Sequence, residues 1–90
     1  MIPVASIFAR RRREGDQVYL TVNNYYVFLE ELPDFVWRNI DGKKTVEQIA
    51  DAIAQKCGCS AEAAWAATCE LLDFFAEQAL LTFTPGAEAT

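Results

Sequence analysis

The residues with the most reactive side chains in this sequence are its three cysteines. Cys57 and Cys59 flank a single glycine, and Cys69 follows twelve positions after Cys57. A structural zinc site usually takes four ligands in two spaced pairs, and this sequence has neither a second pair nor a histidine. We therefore predict that the cysteines pack as small side chains, and that the chain needs no metal and no cofactor.

The carboxylates form no pair that would support general acid–base catalysis. Glu30 and Glu31 are adjacent, so in a strand they would point to opposite faces. Glu70, Asp73 and Glu77 share one face of a predicted helix, which is most often a solvated surface. The commonest general base is missing because the chain has no histidine. The sequence also contains no glycine-rich phosphate loop and no serine nucleophile motif, so it offers no candidate catalytic residues.

Charge is distributed unevenly along a chain whose net charge is −5. Arg10 to Arg13 form a basic run, whereas the part from Cys57 onward holds five acids and no Lys or Arg. One alternative is a winged-helix regulator that binds DNA, but its third helix would then present carboxylates to phosphate. We therefore expect no nucleic-acid partner, and we interpret the arginines as a charged strand edge that discourages aggregation.

The length of 90 residues indicates one domain, residues 1–90, with a core at about 7–83 and a flexible tail at 84–90. No run approaches the roughly 18 apolar residues of a membrane helix, so no membrane partner is expected. The N-terminal residues are apolar first and basic second, unlike a signal peptide. The expected location is the cytoplasm.

A β-hairpin is the clearest strand signal. Residues Gln17 to Val22 alternate between apolar and polar, Asn23-Asn24 suits a two-residue loop, and Tyr25 to Leu29 forms the returning strand. This loop pairs Val22 with Tyr25, Leu20 with Val27 and Val18 with Leu29 on an aliphatic face that we assign to the core. The opposite face carries Tyr19, Tyr26 and Phe28. A weaker first strand is predicted at Ile7 to Arg13, and a short final strand at Leu80 to Phe83.

Two helices follow with recognisable ends. The first is predicted from Pro33 to Ile40, because proline suits a first turn and Gly42 can close the helix. The second begins at Thr45, whose capping box is completed by Gln48, and it ends at Gly58. Its apolar face repeats at helical spacing over Val46, Ile49, Ala50, Ile53, Ala54 and Cys57.

The third helix is predicted from the cap Ser60 to about Ala79, and its apolar surface is unusually wide. The central stripe is Trp65, Thr68, Leu72, Phe75 and Ala79, flanked on one side by Ala67, Leu71 and Phe74 and on the other by Cys69 and Ala76. A helix on the surface of a small domain needs a narrower stripe. We therefore expect one flank to contact something beyond the domain's own core.

Two interpretations of this apolar surface remain open. The aromatic face and the wide helix could form a homodimer or additional internal packing. Alternatively, the strand Tyr25–Leu29 and the third helix could form a groove that accepts an extended peptide by β-strand addition.

The order of these elements resembles the PqqD-like proteins, the precursor-peptide recognition elements of ribosomal natural-product pathways. The resemblance extends from about Phe8 to Phe83 and rests on the strand at Tyr25–Leu29, on Val36-Trp37 followed by Ile40-Asp41-Gly42, and on Thr45-Val46, Ile49, Ala50 and Ile53. The helix ending at Ala79-Leu80-Leu81 matches the last element of the family. At position 30, where many members have Asn, this chain has Glu.

The resemblance implies an α+β fold, with a three-stranded antiparallel sheet followed by three helices in a winged helix-turn-helix-like domain. It also implies a non-catalytic adaptor that binds the leader region of a precursor peptide and presents it to a peptide-modifying enzyme. The docking strand would comprise Tyr25, Tyr26, Val27, Phe28 and Leu29. The facing side of the third helix would comprise Ala67, Glu70, Leu71, Phe74 and Gln78.

Overall fold

Two antiparallel sheets and three helices make up the part of the chain, residues 1–23 and 25–84, that the computed structural model describes. The elements are β1 (Ile2–Ala5), β2 (Arg10–Glu14), β3 (Gln17–Val22), β4 (Tyr25–Leu29), α1 (Glu31–Arg38), α2 (Val46–Cys57), α3 (Ala61–Glu77) and β5 (Leu81–Thr84). This order confirms the α+β class, with a three-stranded antiparallel sheet followed by three helices. Thr84 ends β5, and the rest of the predicted tail lies outside the described residues.

The larger sheet has the strand order β2-β3-β4, and its hairpin has the predicted register. Val22 lies opposite Tyr25, Leu20 opposite Val27 and Val18 opposite Leu29. Asn23 has a φ of 54°, which is the left-handed conformation that a primed two-residue turn requires and that Asn tolerates. The aliphatic face is the core face, since Leu20, Val22, Val27 and Leu29 are all buried.

A second sheet, β1-β5, joins the first strand of the domain to its last. Strand β5 lies one residue later than the final strand predicted at Leu80 to Phe83, whereas β1 and its pairing with β5 were not predicted. Ile2 lies opposite Thr84 and Ala5 opposite Leu81. The strand predicted at Ile7–Arg13 was placed too early, because β2 begins only at Arg10 and Ile7 is an exposed turn residue. Each strand has only four residues and its partner lies some eighty positions away, so local alternation cannot indicate that the two strands pair.

Helix α2 forms as its sequence signals predict. The Thr45 hydroxyl accepts a hydrogen bond from the backbone N–H of Gln48, and the Gln48 side chain accepts one from the Thr45 N–H. Gly58 closes the helix with a φ of 65°, which favours glycine. The one error concerns Cys57, which was assigned to the apolar face but is exposed.

Helix α1 differs from its prediction at both ends. It begins at Glu31, two residues before Pro33, and it ends at Arg38 with Asn39 as its cap. The Asn39 side chain donates to the carbonyl of Phe35, so the helix is closed before Gly42. Gly42 instead lies in the following turn, where its φ is 78°. At the other end Glu30 is the N-cap residue, and its side chain makes no capping hydrogen bond.

We expect Glu30→Asn to stabilise the domain, because Asn can accept a hydrogen bond from the first-turn backbone and Glu30 does not. The gain should be about 0.5–1 kcal/mol, typical of a restored N-cap. Urea unfolding followed by circular dichroism measures it. Glu30→Ala is the matched control, and equal stability of the Asn and Ala variants would show that the cap does not form.

Helix α3 packs on the core through Ala64, Thr68, Leu72 and Phe75. The buried Thr68 hydroxyl is satisfied because it donates to the carbonyl of Ala64 at 2.7 Å. The positions predicted for two residues of the central stripe are wrong. Trp65 is 45% exposed on the flank of the helix, and Ala79 lies beyond the helix end with a φ of 61°. A helical-wheel stripe wider than the buried face cannot indicate which of its borders is covered.

One ion pair ties the β2–β3 hairpin to α1. Arg11 donates to both carboxylate oxygens of Asp34, at 2.6 Å and 3.0 Å, and Arg38 lies 3.3 Å from the same carboxylate. The side chain of Asp34 is only 12% exposed. The hydrogen bond from Arg11 is the largest cause that lowers the pKa of Asp34 below its usual value. Within the arginine run, Arg11 therefore has a structural role.

Candidate functional site

Strand β4 lies at one edge of the larger sheet, and within the described residues β3 is its single neighbour. In an antiparallel pair, residues alternate between those that bond to the partner strand and those whose N–H and C=O point away from it. Val22 and Tyr25 flank the two-residue loop and form a bonded pair, so Val27 and Leu29 are bonded as well. The backbone groups of Tyr26 and Phe28 consequently point toward the open side of the sheet.

The side chains of β4 alternate between two faces. Val27 and Leu29 belong to the buried core, whereas Tyr26 and Phe28 are 65% and 67% exposed on the outer face. Tyr19 lies between the two exposed rings, with ring centroids 5.5 Å from Tyr26 and 5.9 Å from Phe28. The structure therefore separates side chains that the sequence grouped into one site. The Tyr26 and Phe28 rings lie on the face of the sheet opposite to the core, while their backbone groups lie at its edge.

The predicted docking flank of α3 is partly covered by the core. Leu71 packs against the buried cluster, and Ala67 and Gln78 are half-buried. Phe74 is 41% exposed and tilts against the buried ring of Phe75 at a centroid distance of 5.9 Å. Glu70 is exposed beside this flank. On this flank the Phe74 ring is therefore partly exposed to solvent, next to the partly buried side chain of Leu71.

The opposite flank of α3 faces a different part of the domain. Cys69, Leu72 and Trp65 line a surface depression together with Val46 of α2 and Phe83 of β5. This flank is therefore associated with α2 and with the small β1-β5 sheet. The sequence does not decide which flank of α3 would face a bound peptide. The flank with Phe74 contributes no residue to this depression.

Among residues 1–23 and 25–84, the cysteines and carboxylates show no arrangement typical of a metal centre. Within the described segments, no group of three or more Cys, Asp and Glu side chains could hold a metal ion. Burial, followed by the charge of Asp73, raises the pKa of the Cys69 thiol, which makes this sulfur a poorer nucleophile. The exposed charged residues along α3 are all acidic: Glu62, Glu70, Asp73 and Glu77. Because these carboxylates would be repelled by phosphate, α3 does not suit the backbone of DNA.

A protein-family model described as "Coenzyme PQQ synthesis protein D (PqqD)" matches residues 17–81 of the chain. The matched range begins at β3, contains β4 and all three helices, and reaches the first residue of β5. The chain belongs to the PqqD family. The resemblance inferred from the Trp37, Asp41-Gly42 and Thr45-Val46 pattern is confirmed, and the arginine strand β2 precedes the matched range of this family member.

A solved structure, "TbiB1 in Complex with the TbiA(beta) Leader Peptide", has the same fold as this PqqD family member. The two chains share 20% sequence identity at a TM-score of 0.79, and the match covers 90% of this chain and 96% of that chain. At this level of identity the similarity concerns the fold. Among curated proteins, none matches the chain.

Sequence analysis missed the different positions of Trp65 and Phe74 on α3. The sequence places both rings on an apolar helix, but it assigns Trp65 to the core and Phe74 to the peptide-binding side. The structure leaves both about equally exposed, at 45% and 41%. No local signal in the sequence separates the two rings, because the covered border of α3 depends on neighbours that are distant along the chain.

No helix that could span a membrane is found within residues 1–23 and 25–84.

Proposed function

We propose that this PqqD family member binds the leader region of a ribosomally made precursor peptide as a strand added to β4. The bound peptide would then be presented to a separate peptide-modifying enzyme, and the domain itself would perform no chemistry. The open edge of β4, with the outward backbone groups of Tyr26 and Phe28, is the observation that carries the proposal.

Backbone pairing would supply the affinity. A guest strand lies about 4.8 Å from its neighbour and exchanges N–H···O=C bonds with every second residue. On β4 these residues are Tyr26 and Phe28, each with one donor and one acceptor directed away from β3. Because β3 already satisfies Val27 and Leu29, a guest can add without breaking any bond of the sheet.

Side chains on both sides of the edge would supply the selectivity. Successive guest side chains point to opposite faces of the extended sheet. Those on the outer face would lie next to the exposed rings of Tyr26 and Phe28. Those on the inner face would lie toward α3, where the Phe74 flank offers a partly exposed ring and the aliphatic side chain of Leu71. The opposite flank borders α2 and β5, with no residue of β4 among the lining of its depression, which supports this assignment.

Membership of the PqqD family and the fold shared with TbiB1, a protein solved in complex with a leader peptide, support a peptide as the partner. The geometry is compatible with presentation to an enzyme, because a strand held at an edge would leave the rest of the peptide outside the domain.

The test is calorimetric titration of this protein with overlapping synthetic peptides that cover a candidate precursor, namely the product of any short open reading frame found next to its gene. We expect one binding stretch, in the leader region, with a stoichiometry of one peptide per chain. Peptides from the core region, at the same concentration, serve as the control. Equal heats from leader and core peptides, or no heat from any of them, would contradict the proposal.

A second candidate function uses the same edge. Exposed aromatic side chains next to unpaired backbone groups are also what a symmetric dimer joined through β4 would need. Sedimentation at micromolar concentration separates the two candidates. A dimer that leader peptide does not dissociate would favour a structural module, whereas a monomer with a free edge favours peptide capture.

A further inference from the structure

A second concave surface lies between α2 and α3, on the side of α3 away from Phe74. It is a depression of about 350 Å³ with a floor of Ala50 and Ala61 and with the ring of Trp65 as one wall. Trp65 also lines the neighbouring depression, of about 360 Å³, next to Val46, Leu72 and Phe83. The indole of Trp65 therefore lies between two apolar depressions and is 45% exposed.

Every charged side chain that lines the depression with Ala50 and Ala61 is acidic. Glu47 and Asp51 lie one turn apart on α2, and Glu62 lies one turn before Trp65 on α3. All three line the depression with the alanine floor, and none of its lining residues is a Lys or an Arg. Asp73 and Met1 are among the residues that line the neighbouring depression. The surface thus combines an aromatic face, aliphatic carbon and carboxylates.

This combination has a specific chemical preference. A guanidinium or ammonium group is attracted to the face of an indole ring. The aliphatic stem of Arg or Lys can cover apolar surface while its charged end stays at a polar rim. Carboxylates at that rim pair with the same cation, and Arg does so in two-point geometry. An acidic or purely apolar occupant would leave either the carboxylates or the indole without a complementary group.

We propose that the Trp65 surface, defined by Glu47, Ala50, Asp51, Ala61, Glu62 and Trp65, binds an arginine- or lysine-bearing segment of a partner protein. The argument is charge complementarity across a concave apolar surface. It is independent of the peptide edge, because β4 contributes no residue to the depression. A basic partner and a guest strand on β4 can therefore be bound at the same time, on different flanks of α3.

The direct test follows the two indole N–H signals of ¹⁵N-labelled protein by NMR. The probe is the peptide acetyl-Ala-Arg-Ala-Ala-Arg-Ala-amide, and its matched control replaces both arginines by citrulline, a neutral side chain of the same shape. Trp65→Phe assigns the signals. We expect a saturable shift of the Trp65 signal at millimolar arginine peptide, while the signal of the buried Trp37 stays unchanged. The citrulline peptide should bind at least about fivefold more weakly.

Matched charge variants decide whether the rim is responsible. Glu47→Gln/Glu62→Gln should weaken arginine-peptide binding about fivefold. Asp16→Asn/Glu77→Gln, which removes two carboxylates elsewhere, should change binding less than about twofold. Equal binding of the arginine and citrulline peptides, equal effects of the two double variants, or no shift at about 10 mM peptide would overturn the proposal. A Trp65 shift that depends on the concentration of the protein alone would also overturn it, since the occupant would then be a second copy.

Discussion

Phe74→Asp should weaken leader-peptide binding at least about thirtyfold, because truncating a central aromatic anchor costs roughly 2 kcal/mol or more. Phe74 is suited to this role, since it is 41% exposed while its ring is held against the buried Phe75. An aspartate at this position would also require a carboxylate to be desolvated beneath a bound peptide. Calorimetric titration with the leader peptide gives the dissociation constant directly.

Two controls make the Phe74 result specific. Ala66→Asp adds the same charge to an exposed position on the polar side of α3 and should leave the dissociation constant within about threefold of the parent value. Circular dichroism should show that both variants remain folded. Phe28→Asp tests the outer face in the same way, because its ring would lie beside the guest. If Phe28→Asp and Phe74→Asp both bind leader peptide as the parent does, the assignment of the peptide site is wrong.

Asp34→Asn should lower the free energy of unfolding by about 2 kcal/mol, since hydrogen bonds between charged groups contribute more than neutral ones. Asp34 accepts two hydrogen bonds from Arg11 and lies 3.3 Å from Arg38, with little exposure to water. The substitution would leave two guanidinium groups without their carboxylate. Urea unfolding of the parent and the variant at neutral pH measures the difference.

The same ion pair predicts a pH dependence with a defined sign. The pKa of Asp34 in the folded state is lowered, chiefly by the hydrogen bond from Arg11, so the folded protein binds this proton less readily than the unfolded chain. Its contribution to stability is therefore complete above the unfolded pKa of about 3.9 and is lost as the pH falls through the lower folded value. The stability gap between parent and Asp34→Asn should close in that acidic range.

Glu31→Gln is the matched control for this prediction. Glu31 is 3.4 Å from Lys56, but its side chain is 86% exposed, so this pair should contribute less than about 1 kcal/mol. Equal losses of unfolding free energy in Glu31→Gln and Asp34→Asn would show that the Arg11–Asp34 pair stabilises the fold no more than the exposed Lys56–Glu31 pair. A gap that persists unchanged at low pH would contradict the assignment to Asp34.

The parts of the fold that were predicted correctly are those with local signals. Thr45 and Gln48 mark the start of α2 and Gly58 marks its end, and each capping bond joins residues no more than four positions apart. The β3–β4 register follows from the two-residue loop alone, because the loop length fixes which residues pair. Both elements could be predicted because the interactions that define them are close in sequence.

The errors concern contacts between distant segments. The pairing of Ile2–Ala5 with Leu81–Thr84 depends on where the ends of the domain meet, which no local pattern encodes. Trp65 and Phe74 are indistinguishable as apolar helix residues until the neighbours of α3 are known. Whether β4 is an edge depends on which strands are absent beside it, and sequence periodicity describes only the strand itself.

The central claim is that a guest backbone pairs with Tyr26 and Phe28, and amide hydrogen exchange at single-residue resolution tests it most directly. In the free protein the Val27 amide, bonded to β3, should exchange slowly, while the amides of Tyr26 and Phe28 exchange fast. Saturating leader peptide should slow exchange at Tyr26 and Phe28 by at least about tenfold, with a small change at Val27. If leader peptide binds and these two amides still exchange at their free rates, β4 is not where the peptide adds.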